Sequence, residues 1–535
     1  MNGLVKRVLF VMVFALCMMV IAACSGEEDN GGEVTEPDEN FNETGLPIVD
    51  EQIEIDMVAF APDSREFEDF EFFQKAEEDT NIKINWDLQQ GGSSWQEKRS
   101  ILFAGSDLPD AFYGHGILDD KTDVVKYGSQ GLLIPLEDLI EEYAPNIQKI
   151  LENEQYRKEL TAPDGHIYSL PTINEDYAQT KPALFINKDW LDQLDLPLPT
   201  TTEEFYETLK AFKENELSPR GKSKQIGLTF RSDDWNANLN SFFGAFGRVT
   251  HNDHIAIEDD KVINTAIQPE FKEAIKYFEK LFDEGLVDRE SFTQDPSDFS
   301  AKINQADGNN VGAFIAWNTN SVDLEEDNNF VPLEPLIGPN GDQKWGGFVP
   351  GINLKGSFVI TSENPNPAET IRWIDYMYEP LNSLQVMHGV IGENLEEQDD
   401  GTYLKLSPPE GVDPEDFQTS PKTKYTVWAL DEEMGEKLTP EKEQKLSKED
   451  LDEIYEPYLD FNEFPKAYFT PEETERISEF ATDINEYIDS QYAEWMVKGG
   501  IDEEWDDYLK KLDDMGLEEM MSIYEEVYER YNEAE

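Results

Sequence analysis

TTEEFYETLKAF, residues 201–212, is the stretch on which the fold reading turns. Thr201 followed three residues later by Glu204 forms a capping box, in which each side chain can satisfy a backbone N–H that the first helical turn leaves unpaired. Phe205, Leu209 and Phe212 then fall on one helical face. The same spacing returns at Phe271, Ile275, Phe278 and Phe282, and it stops at Gly285, a residue suited to the left-handed position after a helix. Short β-forming runs stand at Glu54–Phe60, Ile82–Leu88, Val311–Ala316 and Ser357–Thr361. Such runs alternating with amphipathic helices predict an α/β fold with mainly parallel pairing. From Phe480 onward the pattern is helical, with apolar stripes at Trp505, Leu509 and Leu512, then Leu517, Met521 and Tyr524. All of these stripes read as core packing.

The beginning of the chain differs in kind. Lys6 and Arg7 precede an uncharged run, Val8–Ala23, that is short for a bilayer span of roughly 20 residues. A charged start, a short apolar core and small residues at its end describe an export signal over residues 1–23. Ile21-Ala22-Ala23-Cys24 resembles the lipobox of bacterial lipoproteins, which implies cleavage before Cys24 and acylation of its sulfur. Two or more acyl chains make a stable anchor, since each buried methylene contributes about 0.8 kcal/mol. Residues 24–50, rich in Gly, Glu, Asp, Asn and Pro, read as a flexible acidic tether. The second of the two cysteines, Cys17, falls inside the discarded run. A body of this size can bury enough surface without disulfides.

The chain carries 43 basic and 115 acidic residues, a formal charge of −72. That excludes nucleic acid as a partner, because binding phosphates needs a basic surface. It also opposes close approach to an anionic membrane. With 39% hydrophobic and 12% aromatic residues the chain is nevertheless a folding one. The carboxylates are spread along its whole length and read as a hydrated surface for a saline or alkaline exterior. Residues 396–452, thin in apolar side chains, read as an acidic surface insertion.

Catalytic signatures are missing: no phosphate-binding loop, dinucleotide fingerprint, H-E-x-x-H, C-x-x-C or G-x-S-x-G occurs. His251 and His254 flank Asp253, but no helix holds them in ligand geometry, so they are expected at the surface and no metal is assigned. Carboxylate pairs for glycoside cleavage have no specificity among 115 acidic residues. Aromatics in polar, turn-rich settings are more informative. Tyr113 lies in DAFYGHG (110–116), Trp235 in SDDWN (232–236), Trp317 before Asn318-Thr319-Asn320, and Trp345 between Lys344 and Gly346-Gly347. An aromatic face beside glycines and amides can stack on a sugar ring while carboxylates and amides take its hydroxyls. Together they point to a carbohydrate cleft.

Several stretches carry a family likeness: GSDLPD (105–110), GLLIPL (131–136), APN (144–146), DGHIYSLP (164–171), FINKDWL (185–191), PTT (199–201), WDDY (505–508) and YERY (528–531). Through them nearly all of the chain after residue 50 resembles the extracellular solute-binding lipoproteins of bacterial carbohydrate ABC importers. It is most similar to the large subgroup associated with oligosaccharides of uronate-containing polysaccharides. The resemblance implies a two-lobed periplasmic-binding-protein type II fold, α/β in both lobes, with a helical C-terminal region. Crossing segments are expected near Pro171–Pro182 and Trp345–Ile352. The first lobe is expected over 51–175 with a return at 346–390, and the second over 176–345, completed by 391–535.

By the same resemblance Tyr113 and Glu175 face the ligand from the first lobe and hinge, and Trp235 and Trp317 from the second. Glu393, in the IGEN turn (391–394) where relatives carry G-x-E-G, and Trp345 complete the expected ligand-binding set. The implied function is capture of an oligosaccharide and its delivery to an ABC permease, with no chemistry on the ligand and no catalytic residue. A secreted glycoside hydrolase and a binding protein for a non-sugar solute such as a peptide stay open beside it. Relatives also carry a calcium loop of D-x-N-G-N-G-x-x-D-E type after the L-K-A-F-K helix. Here ELSPRGKSKQ (216–225) sets Arg220 and Lys224 at ligand positions, and calcium needs several oxygens at once, so no cofactor is expected. An acidic cleft repels uronates unless Arg231, Arg248 or lysines compensate, so neutral and acidic sugars both remain open.

Overall fold

The computed structural model describes residues 39–534 apart from 63–64, 106, 120, 177–178, 305–309, 325–327 and 441–446. The signal reading and Cys24 lie outside the described residues. Asp38–Glu535 is one compact unit built around two separate sheets, each with its own core. Among the described residues no helix is long and apolar enough to cross a membrane.

In the first lobe, strand Ile53–Phe60 lies parallel to Ile82–Gln89 on one side and to Ala111–Tyr113 on the other. Gly351–Ile360 then runs antiparallel between Ala111–Tyr113 and Leu170–Asn174, and Ala429–Leu430 closes the edge parallel to Leu170–Asn174. The second sheet orders Phe330–Pro332, Ala183–Asn187, Val311–Ala316 and Ile226–Thr229, and only the last pair is parallel. The expectation of mainly parallel pairing is therefore corrected to mixed pairing. Gly351–Ile360, which returns to the first lobe after a crossing, is antiparallel to both of its neighbours, and in the second sheet Ala183–Asn187, the first strand after a crossing, is antiparallel to both of its own.

The strongly periodic segments form the expected helices and strand. Helix Thr202–Glu214 buries Phe205, Leu209 and Phe212, and helix Pro269–Asp283 buries Phe271, Ile275, Phe278 and Phe282 before Gly285 at φ +61°. The cap differs in detail. Thr201 Oγ1 accepts the Glu204 N–H at 3.1 Å, but the Glu204 carboxylate reaches back one residue further, to the Thr200 N–H and hydroxyl at 2.8 Å each. All six residues of Val311–Ala316 are buried, as in a strand covered on both faces. At Gly312 a Cβ would stand 2.5 Å from the Phe212 ring, so glycine lets the helix seat directly on the strand.

Two stretches sit elsewhere than expected. Residues 39–50 are not tether: Ile48 and Val49 are fully buried in the first-lobe core, Phe41 bridges Val49, and the Ile48 N–H donates to Thr80 O at 2.9 Å. Nor is 391–435 part of the second lobe or a mere surface insertion. Leu395, Tyr425, Val427, Trp428 and Leu430 belong to the first-lobe core. The apolar run YTVWAL (425–430) is short and set in charged sequence, so average composition hides it. Leu451 and Tyr455 then pack in the second core with helices Ala481–Lys498, Ile501–Asp514 and Leu517–Glu533.

The lobes meet where crossing segments lie against one another. Thr180 bridges Gly347, Gly351 pairs with Asn174, and Trp345–Gly346 runs parallel to Leu459–Asp460. A third tie follows. Buried Lys355 donates from Nζ to Lys466 O at 2.7 Å, while Lys466 Nζ donates to Ile352 O. Lys355 also stands 3.3 Å above the Tyr468 ring.

Candidate ligand cleft

Between the lobes opens a cleft of about 580 Å³. Its first-lobe wall is polar: His115, Gln155, Glu159 and Asn174. Its floor is the crossing segment 348–353, and Trp235, Glu463 and Phe464 come from the second lobe, followed by Pro465 and Lys466.

The polar side chains are set by their neighbours. His115 follows strand Ala111–Tyr113, with Nδ1 3.0 Å from Thr172 Oγ1 and its ring nearly parallel to Trp428 at 6.5 Å. Burial pulls its pKa down to about 4, so it stays neutral and serves as donor or acceptor. Glu159 lies on helix Glu154–Leu160 and accepts from Gln155 Nε2 at 2.9 Å, and burial raises its carboxyl. Asn174 Oδ1 is buried with no hydrogen-bond partner among the described residues. A buried acceptor left open at a cleft wall is a place for a hydroxyl to bind.

Opposite, Lys181 joins Glu463 at 3.3 Å and His251 Nδ1 at 3.2 Å, and His251 Nε2 meets Asn462 Oδ1 at 2.9 Å. Burial, aided by the Lys181 charge, lowers the His251 pKa. Burial alone would raise Glu463, but Lys181 beside it holds it down. His251 and His254 are thus buried hydrogen-bonding residues and not the surface pair expected; Thr250 Oγ1 is 3.2 Å from His254 Nδ1. Among the described residues no cluster of three potential ligands forms a metal site.

The apolar side of the cleft is an aromatic triad. Trp235 meets Trp317 at 5.7 Å and Phe348 at 6.0 Å, and Trp317 meets Phe348 at 5.9 Å, all edge-on or tilted. Edge-to-face packing fixes rings without hiding their outer faces. Trp235 keeps 47% of its surface exposed.

The expected residues therefore divide. Trp235 lines the cleft and Trp317 stands behind it. Tyr113 does not face the ligand: it is fully buried among Phe67, Phe73, Trp86 and Trp373, and its Oη accepts the Val427 N–H at 3.1 Å. Trp345 is likewise core, with its indole N–H on Pro182 O at 3.1 Å and its ring 5.3 Å from Tyr455. Glu175 accepts from Tyr156 Oη at 2.7 Å and lines a separate first-lobe depression of about 360 Å³ with Lys149 and Tyr378. Glu393 is exposed in a tight turn whose N–H bonds Val390 O, and it lines neither space. Tyr113 and Trp345 stand out by their polar neighbours, but both lie in strands whose register turns them inward, whereas Glu175 and Glu393 were expected from the family resemblance alone and sit in turns. Phe348 was missed although it follows two glycines inside the expected crossing. His115 stood two residues from Tyr113 in the same stretch.

The loop compared with a calcium site is closed by an amide. Gln225 Oε1 accepts the N–H groups of Leu217 and Ser218 at 2.7 and 3.1 Å, and its Nε2 donates to Phe212 O and Asn215 O at 2.8 and 2.9 Å. Lys222 Nζ binds Glu214 O at 2.5 Å.

Residues 60–382 match the family described as bacterial extracellular solute-binding protein. The chain belongs to that family. It is 33% identical over 530 residues to the fructooligosaccharide ABC transporter substrate-binding protein FusA of Streptococcus pneumoniae serotype 4, covering 96% of both chains. The structure of S. pneumoniae FusA in complex with kestose superposes with a TM-score of 0.74 at 31% identity, over 90% of this chain and 99% of the other. A FusA EF-hand mutant in complex with fructo-nystose gives 0.74 at 32% identity, with the same coverage. The two lobes are accordingly those of a type II solute-binding protein.

Replacing Tyr113 by Phe removes the hydroxyl that accepts the buried Val427 N–H inside the first lobe. It is expected to lower unfolding free energy by about 1–2 kcal/mol, read as a lower denaturation midpoint, while leaving the cleft intact.

Proposed function

We propose that this solute-binding protein captures an oligosaccharide between its lobes, outside the cell, and presents it to an ABC permease without cleaving it. The observation that carries this is the pairing of an aromatic triad with a polar wall across one cleft. Rings supply apolar area for the faces of a sugar, and His115, Gln155 and Asn174 can take hydroxyls. Contacts to both lobes then favour the closed arrangement, which the permease recognises. FusA, whose name specifies fructooligosaccharides, makes that class the first probe. Against hydrolysis stands the state of the cleft carboxyls: Glu159 is tied to Gln155 and Glu463 to Lys181.

Titration calorimetry with kestose and nystose is expected to show one site, with no new reducing ends after prolonged incubation. Trp235→Ala should weaken binding about tenfold through the lost ring face. Release of reducing ends would establish the hydrolase, and binding of peptides instead of glycans the other alternative.

The protein is proposed to need no calcium, because Gln225 supplies the cross-links at the centre of the 216–225 loop and Arg220 and Lys224 add positive charge. Thermal midpoint and sugar affinity should be the same in excess calcium and in chelator. A shift of several degrees on chelation would overturn this.

Attachment to the outer face of the membrane through acylated Cys24 completes the reading. Labelled fatty acid is expected to be incorporated into the wild-type protein and not into Cys24→Ser, and a wild type that takes up no label would refute lipidation.

A further inference from the structure

Trp317 and the first crossing segment share a buried residue that does not line the cleft. Lys448 begins helix Lys448–Tyr455, whose Ser447 cap is locked by a reciprocal bond with Asp450. Its ammonium lies 3.7 Å from the centre of the Trp317 ring and donates to Thr180 O at 2.7 Å. One turn later Asp452 accepts the Thr180 N–H at 2.7 Å and the Gln179 N–H at 2.9 Å. A lysine and an aspartate on one helical face thus grip the backbone of residue 180 from both sides. Thr180 is fully buried and bridges Gly347, at the point where the first two crossing segments meet. The neighbouring Gln179 carbonyl accepts from the Phe348 N–H at 2.7 Å, so the floor of the cleft is tied to the same two residues.

We propose that Lys448 is a positioning residue for ligand capture, transmitting the placement of the aromatic triad to the hinge at Thr180. This rests on the oligosaccharide reading of the cleft. Trp317 packs edge-on to Trp235 and tilted against Phe348, and its face is held by the ammonium. A sugar that presses Trp235 and Phe348 into one arrangement therefore fixes Trp317, and through Lys448 the crossing peptide. A buried cation–π contact and a charged hydrogen bond on one ammonium are both stronger than their exposed counterparts. Burial draws the Lys448 pKa down to about 8, against Asp452 and Glu449, which hold it up. The site thus carries a charge kept only by specific partners.

The test compares wild type, Lys448→Met, Lys448→Arg and Trp317→Leu in kestose binding by calorimetry, and in kestose-induced compaction by small-angle scattering. All are measured well below each variant's melting temperature. Lys448→Met is expected to weaken binding about tenfold and to reduce compaction at saturating sugar, with Lys448→Arg recovering most of both. In a double variant carrying Lys448→Met and Trp317→Leu the two losses should be less than additive, because both cut one connection. If Lys448→Met does not fold, the Lys448→Arg and Trp317→Leu pair carries the comparison, and unchanged affinity with full compaction in both overturns the inference. A folded Lys448→Met protein that binds and compacts like wild type also overturns it, while leaving the proposed function standing. A wild type that binds no oligosaccharide removes the proposed function and this inference together.

Discussion

A chain that passes from one core to another must carry its peptide groups through a region where neither sheet can pair them, and this constraint shapes the centre of the molecule. Buried N–H and C=O groups need partners wherever they lie. Here the crossings supply one another, Thr180 to Gly347 and Trp345–Gly346 to Leu459–Asp460, and side chains fill what remains. Lys448 and Asp452 complete Thr180, Lys355 and Lys466 cross-tie the second and third segments, and Tyr455 Oη accepts from the Leu184 N–H at 3.1 Å. The hinge is thus built from a few peptide bonds with chosen partners, and it stays a specific structure while the two cores on either side remain independent.

Charge adds a second constraint. A chain of −72 resists bringing its own parts together, because like charges within a Debye length repel. Lysines 181, 355, 448 and 466 stand where the lobes meet, most of them bound to backbone carbonyls and aromatic faces. Positive charge at the seam, next to carboxylates such as Glu463 and Asp452, offsets part of the repulsion between the lobes.

What the sequence disclosed follows from where the information sits. Helices Thr202–Glu214 and Pro269–Asp283 were legible because their apolar stripes are long and regular. Val311–Ala316 was legible because a doubly covered strand is a continuous apolar run. Trp235 could be found because an aromatic among Ser, Asp and Asn has no core to enter. Tyr113 and Trp345 misled for the converse reason. Their polar neighbours belong to the turns that follow, while the residues themselves are set by strand register, which only pairing across the sheet reveals. The run YTVWAL was lost in averages over an acidic stretch, although five apolar residues in six are enough to build a sheet edge. Nothing local could place Lys448 against Trp317, since the two meet only after the chain has crossed between lobes again.

One feature of the triad reaches beyond recognition. Trp235 is the one exposed tryptophan among the described residues; the others are buried or partly covered. Water quenches and red-shifts indole emission, and a sugar face laid over the ring displaces that water. On the proposed reading of the cleft, this exposed ring is an optical gauge of occupancy that needs no attached dye.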